Sequence, residues 1–426
     1  MQHAKVQLIS HVSMENPLSS EQFPANWDEN DYLRRNPDVA KALTGTSSIR
    51  SGYDHYVRWG LFENREGGWR IEETDSQTRY CLDPWIYQEI DPRGRVAPCC
   101  VHPHLFPLID DAAEPENVRN QESLRALRLS LLEGKLNRYC AQCHIRSWTS
   151  TKVLTTVLSK WLRGKPSLQE SGPLRHLRID VTGRCNLRCT YCAVSQPEYL
   201  GHDMSEETFQ RIMRMSDMNP KQTRIMLNGH GETTYHPDWM KMARQLLAGG
   251  FKVDILSNFA KPFIPEEIAL LAQMSVIQIS LDTVDRQKLK SIRRHVSLGT
   301  ILTNMHQVRA KARAIKTKPA WSLSCGVYEQ SVPGLEDLAW FAIEAGFASI
   351  TLWNLVSYPA VNHNPVVGLD QLPIEQALAM KQEVQRVVQL LRNHSVAVEV
   401  AGNFLENTHP DSACHSPDSL TSEPAA

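Results

Sequence analysis

The chain has 426 residues, 42% hydrophobic and 22% charged, with 46 Lys plus Arg against 47 Asp plus Glu and a formal net charge of -1. That apolar share excludes a disordered or fibrous chain, and the charge balance leaves no electrostatic footprint for nucleic acid or a membrane surface, so neither is expected as a partner. At roughly 150 residues per domain the length predicts two or three domains, and no apolar run reaches the roughly 20 residues that span a bilayer.

Met1 to Asn16 lacks a long apolar core and an Ala-x-Ala-like cleavage site, which predicts no secretory signal and a cytoplasmic location. Residues 1–26 read as an irregular lead-in, and 27–77 as a small helical block. Within it, Asn36-Pro37 fits an N-cap with proline at the first helical position, and Gly60 fits a stop after His55-Tyr56-Val57-Arg58-Trp59. Asp31 to Ala40, His55-Tyr56 and Trp59-Gly60 together resemble a small bacterial module found beside glycosyltransferase-type and secreted proteins. That likeness implies packing or docking and no chemistry.

Of 10 cysteines, Cys81, Cys99, Cys100, Cys140 and Cys143 fall in the next block, 78–150, around a predicted helix Glu122 to Gly134. Clustered cysteines in a long chain without an export signal read as metal ligands rather than disulfides. Residues 151–173 read as a linker helix and a Pro/Gly/Ser break.

From 174 to 402 the pattern becomes regular. Strand-like runs at Leu177–Thr182, Thr223–Leu227, Lys252–Ser257, Val276–Leu281, Trp321–Val327 and Ser349–Leu355 alternate with amphipathic helical stretches. The stretches are Ser205–Met218, Pro237–Ala248, Pro265–Met274, Leu298–Ile315, Gly334–Ala345 and Ile374–His394. Such alternation predicts α/β architecture with a parallel sheet. No Gly-x-Gly-x-x-Gly follows the first strand, so a partial (β/α)6 TIM-like barrel fits better than a doubly wound sheet. It would follow the small cysteine-rich α+β module and the short helical N-terminal block. Val396–Val400 can add a strand, and the polar 403–426 reads as a disordered tail containing Cys414, while Cys325 lies on a barrel strand.

The first barrel strand runs into Cys185-Asn186-Leu187-Arg188-Cys189-Thr190-Tyr191-Cys192. A loop of that length can wrap three thiolates around three corners of a [4Fe–4S] cubane, which ordinarily takes four. The fourth iron then stays open, as catalytic metals do, at the carboxyl end of a barrel strand where active sites are built. A structural zinc would want a fourth ligand; the closest downstream candidate is His202.

This loop resembles the three-cysteine motif of the radical S-adenosylmethionine (radical SAM) superfamily, including Tyr191 before the third cysteine. The family's Gly-Gly-Glu-Pro-like motif has its counterpart in Asn228-Gly229-His230-Gly231-Glu232-Thr233, which departs from it at His230 and Thr233. The resemblance implies that Gly229 and Gly231 allow close approach to SAM and that Glu232 meets its ammonium group. It also implies SAM-side roles for Ser257 and Asn258 at the third strand, for Ser280 and Asp282 at the fourth, and for Arg293 near the SAM carboxylate. Each of these also has a plain reading as a cap or a surface charge.

The earlier block, with Cys81-Leu82-Asp83-Pro84-Trp85, then Gly94 before Pro98-Cys99-Cys100, then Cys140-Ala141-Gln142-Cys143, is similar to the SPASM/twitch auxiliary-cluster module. That module usually follows the barrel and holds more cysteines. The likeness implies one auxiliary [4Fe–4S] cluster on Cys81, Cys99 or Cys100, Cys140 and Cys143. Four thiolates suit zinc equally well.

The expected function is reductive cleavage of SAM to a 5′-deoxyadenosyl radical and hydrogen abstraction from a peptide or carbohydrate, with oxidation, crosslinking or epimerisation as outcomes. An electron donor such as flavodoxin or ferredoxin would serve it. The competing expectation is a non-catalytic metal-binding scaffold with a structural zinc module.

Overall fold

A computed structural model of the chain describes residues 27–44, 49–56, 68, 75–100, 119–143, 145–169, 174–197, 199–215, 218–355, 367–402 and 405. The expected lead-in, most of the tail with Cys414, and Trp59-Gly60 lie outside them. The chain divides into two compact units, Met1–Glu73 and Thr74–Ala426.

In the first unit the helices Glu29–Arg35, Pro37–Leu43 and Gly52–His55 enclose Trp27, Tyr32, Val39 and Tyr56. The Tyr32 hydroxyl and His55 Nδ1 share a buried hydrogen bond of 2.9 Å. Pro37 opens its helix as expected, but the Asn36 side chain does not cap it. Asn36 is also the C-cap of the preceding helix, and its amide turns back to donate to the Tyr32 carbonyl at 2.9 Å. The Tyr32 carbonyl, which also accepts the Asn36 backbone amide at 3.0 Å, takes this side-chain donor as a second partner near the helix C-terminus.

The strands of the second unit are β1 (Gln77–Arg79), β2 (Tyr87–Ile90), β3 (Val96–Ala97), β4 (Trp148–Ser150), β5 (His176–Ile179), β6 (Arg188–Cys189), β7 (Arg224–Leu227), β8 (Lys252–Ser257), β9 (Val276–Ser280), β10 (Arg293–Arg294), β11 (Ala320–Val327), β12 (Ser349–Asn354) and β13 (Ala397–Ala401). One nine-stranded sheet runs β13-β12-β11-β9-β8-β7-β5-β2-β3. All its pairs are parallel except β2–β3. Helices follow the strands β7, β8, β9, β11 and β12, giving the partial (β/α)6 barrel that the alternation predicts. Ile225, Leu227, Val253, Ile255, Ile277 and Ile279 are buried in its hydrophobic core.

Two differences from the expected elements have clear causes. The first barrel strand stops at Ile179, because Thr182 leaves the sheet to bridge Asp203. The cysteine-rich block extends the barrel's own sheet, with Tyr87 opposite His176 and Ile90 opposite Ile179. An incomplete barrel leaves the row of amides and carbonyls on β5 open, and a short strand from the preceding block pairs it. At the turn from β2 to β3, Gly94 takes φ +79 and donates to the Asp91 carbonyl at 2.9 Å. That left-handed conformation is one glycine adopts without a Cβ penalty. No helix among the described residues is long and apolar enough to cross a membrane.

Candidate active site

The three-cysteine loop leaves the carboxyl end of β5 and is tied down at its root. Thr182 Oγ1 donates to Asp203 at 2.6 Å and accepts from the Arg184 amide at 2.9 Å. Cys189 lies on β6, which pairs with β10 so that Cys189 stands opposite Arg293. Cys189 is buried, while Cys185 and Cys192 are half-buried. The Leu187 amide donates to Cys185 Sγ at 3.4 Å, and the Asn258 side chain does so at 3.7 Å. Burial pushes the Cys185 thiol up to about 11, with Glu232 adding to the rise, and the Cys189 thiol to about 12. A cationic cluster offsets that cost by taking the thiolates as ligands.

The second motif packs directly on this loop. The Gly231 amide donates to the Thr182 carbonyl at 3.1 Å and the Glu232 amide to the Arg184 carbonyl at 2.7 Å. A Cβ on Gly231 would meet those two carbonyl oxygens at 2.2 and 2.4 Å, and one on Gly229 would overlap the Asp180 carboxyl. The close approach that these glycines permit is therefore to Asp180 for Gly229 and to the root of the thiol loop for Gly231. Glu232 is 3% exposed, and its carboxylate accepts from Thr234 Oγ1, Ser257 Oγ and the Asn258 amide, each at 2.7 Å. Asn258 in turn donates to Asn186 Oδ1 at 2.8 Å. Glu232, Ser257, Asn258 and Cys185 thus form one connected network across β7, β8 and the thiol loop.

The other flank is an ion pair. Arg293 donates to both oxygens of Asp282, at 2.7 and 3.1 Å, and the Tyr191 hydroxyl donates to Asp282 at 2.9 Å. Tyr328 packs edge-on against Tyr191 with ring centroids 5.9 Å apart. Asp282 also accepts from the Gly326 amide at 3.1 Å. Ser280 stands half-buried on β9, opposite Ser324. Asp180, Asn186 and Tyr328 were not singled out as site residues from the sequence. A carboxylate directly after the last residue of β5, ahead of the thiol loop, is the signal that marks Asp180. It accepts from the His230 amide at 3.1 Å, and burial pushes its carboxyl up to about 7.

The five cysteines of the first block face a second space. Arg79 holds the Cys140–Arg146 turn through three carbonyls, Cys140 at 3.0 Å, Ala141 at 2.6 Å and Arg146 at 2.9 Å. Asn137 caps the short helix that carries Cys140. Arg128, fully buried, donates to the carbonyls of Pro84, Leu168 and Arg119 and so joins the block to the linker. Cys81, Cys99, Cys100, Cys140 and Cys143 all line one cavity of ≈ 470 Å³, shared with inward side chains of the barrel strands. Cys99 is an electrostatic neighbour of Cys81, and Cys100 has Arg178, Glu89, Asp83 and Arg146 as neighbours, the last two shared with Cys81. Among the described residues, no three Cys, His, Asp or Glu side chains close round a single metal ion.

Residues 179–328, from the end of β5 to Tyr328, match the family model of the radical SAM superfamily. The chain carries a radical SAM domain. It is 25% identical over 211 residues to the tungsten-containing aldehyde ferredoxin oxidoreductase cofactor-modifying protein of Pyrococcus furiosus, covering 48% of this chain and 59% of that protein. It is 32% identical over 121 residues to the probable GTP 3′,8-cyclase of Pyrococcus horikoshii, covering 28% of this chain and 38% of that one. The chain therefore spans less than two thirds of these curated relatives. Among solved structures it is similar to Streptococcus suis SuiB bound to the precursor peptide SuiA, at 15% identity and TM-score 0.43, over 59% of this chain and 53% of that one. The cofactors of a radical SAM domain are a [4Fe–4S] cluster and SAM. The residues present fit the cluster: three soft thiolates, with a backbone amide and the Asn258 amide directed at one sulfur.

Proposed function

We propose that the chain is a radical SAM enzyme acting on a peptide or carbohydrate held in the barrel. The observation that carries this reading is the three-thiol loop at the carboxyl end of β5, inside the stretch that matches the family. When bound, the cluster and SAM supply one-electron cleavage of the sulfonium to methionine and a 5′-deoxyadenosyl radical, which removes a hydrogen atom from substrate. The chain's own residues orient these groups. Cys185, Cys189 and Cys192 would hold the cluster. Asn258 and the Leu187 amide donate to Cys185 and so stabilise charge on its sulfur. Glu232 fixes Asn258, while the Asp282–Arg293 pair and Tyr191 hold the strand that carries Cys189.

Cys81, Cys99, Cys140 and Cys143 would hold an auxiliary [4Fe–4S] cluster, with Cys100 facing Arg178. The neighbourhood of Cys99 and Cys81 supports that choice. Oxidation, crosslinking and epimerisation all fit such a site, a flavodoxin or ferredoxin would supply the electron, and the setting would be the cytoplasm. The test is electron paramagnetic resonance of the reduced, anaerobically reconstituted chain. The expected result is a cluster signal that shifts on adding SAM and whose SAM-sensitive part disappears in Cys185→Ala. A signal indifferent to SAM would contradict the reading.

A further inference from the structure

The interior of a (β/α) barrel is ordinarily filled by branched apolar side chains. In this barrel the strands that line the ≈ 470 Å³ cavity set polar and charged side chains among apolar ones such as Leu177, Met226 and Val276. Arg224 and Asp254 face each other across β7 and β8 in a bidentate pair, one contact being 2.7 Å. The Gln278 amide donates to Thr351 Oγ1 at 3.1 Å, and Thr351 donates to Glu399 at 3.2 Å. Trp353 also lines the cavity; its indole N–H donates to Ser324 Oγ at 2.9 Å, which fixes the ring edge, and the residue is 37% exposed.

Resting on the radical SAM reading above, we propose that this lumen binds a compact, hydroxyl-rich substrate of the mono- or disaccharide class, laid against Trp353. Arg224 and Asp254 neutralise each other, while Glu399 meets a hydroxyl, so this part of the wall offers hydrogen-bonding groups in addition to charge. A guanidinium beside a carboxylate, and an amide beside a hydroxyl, present a donor and an acceptor side by side, which suits vicinal hydroxyls. An indole face takes the apolar C–H face of a sugar ring. An extended peptide instead asks for a run of alternating backbone partners along a strand edge. The ≈ 470 Å³ lies within the range of about 300–1,000 Å³ typical of small-molecule sites, and because it includes the space beside the five cysteines, it favours a compact ligand.

The test uses the full, anaerobically reconstituted chain with SAM. A panel of mono- and disaccharides including glucose, trehalose, sucrose and cellobiose is screened by saturation-transfer NMR, alongside a mixture of unstructured 20-residue peptides. The proposal expects at least one saccharide to bind. Affinity should fall about tenfold in Trp353→Ala, as loss of an aromatic contact predicts, and recover in Trp353→Phe. Asp254→Asn should weaken the same saccharide, with unchanged iron content showing that each variant folds. Absence of transfer across the panel, binding indifferent to Trp353→Ala, or a peptide that binds and is lost in that variant would each overturn it. Deoxyadenosine release from SAM is measured in the same preparation. Release without saccharide binding fails the substrate class alone, whereas binding without release fails the enzyme reading alone.

Discussion

Asp282 and Arg293, eleven residues apart, form a buried two-contact ion pair at 2.7 and 3.1 Å that joins the end of β9 to the strand facing Cys189. Tyr191, inside the thiol loop, donates to the same carboxylate. The loop is therefore anchored to the barrel by charge, and its geometry depends on both partners remaining ionised.

Removing one partner strands the other charge in the core, which costs about 3–5 kcal/mol. Asp282→Asn should accordingly lower the unfolding free energy of the metal-free protein by roughly that amount in urea titration. Iron retention at the thiol loop should fall with it, while retention at Cys81, Cys140 and Cys143 stays. A variant with wild-type stability would show that the pair does not anchor the loop.

Gly231→Ala tests the packing of the two loops. The added methyl carbon would stand 2.2 Å from the Thr182 carbonyl and 2.4 Å from that of Arg184, so backbone has to shift. The expected outcome is a folded protein that binds SAM at least tenfold more weakly, the price of a displaced site. Isothermal titration measures it, and an unchanged dissociation constant would contradict the close approach.

Asp180 makes a prediction about pH. Burial raises its carboxyl to about 7, far above the ordinary value of 3.8, so the folded chain binds a proton that the unfolded chain has released. Its contribution to stability is full below about pH 4 and is lost as pH rises through about 7. Asp180→Asn, neutral throughout and still able to accept from the His230 amide, should lack that part of the slope. The Tm of metal-free variant minus wild type should increase from pH 5 to pH 8. A difference constant with pH would contradict it.

Iron counting separates the two cysteine groups. If each holds four irons, the reconstituted chain carries about eight, and Cys189→Ala or Cys140→Ala each leaves about four. About four irons with one zinc in the wild type would assign the first group to zinc instead.

Much of this architecture is written in periodicity. The strand Lys252–Ser257 coincides with its expected bounds, because an apolar run between a helix end and a following turn leaves few alternatives. The β2–β5 pairing carries no local signal, since it depends on an edge that exists only once the barrel is left incomplete. The spacing of Cys185, Cys189 and Cys192 is legible because one loop carries all three. The partners of the surrounding residues are not. Glycine at 229 and 231 reports that something comes close, but only the fold shows that it is Asp180 and the thiol loop. Likewise Asp282 and Arg293 read as separate polar residues until the fold pairs their side chains at 2.7 Å.

The most direct test is quantitation of 5′-deoxyadenosine and methionine, by mass spectrometry, from anaerobic protein given dithionite and SAM. The account predicts both products in equal amounts from the wild type and neither from Cys185→Ala, Cys189→Ala or Cys192→Ala. Iron-loaded wild type that leaves SAM intact under reduction would contradict it.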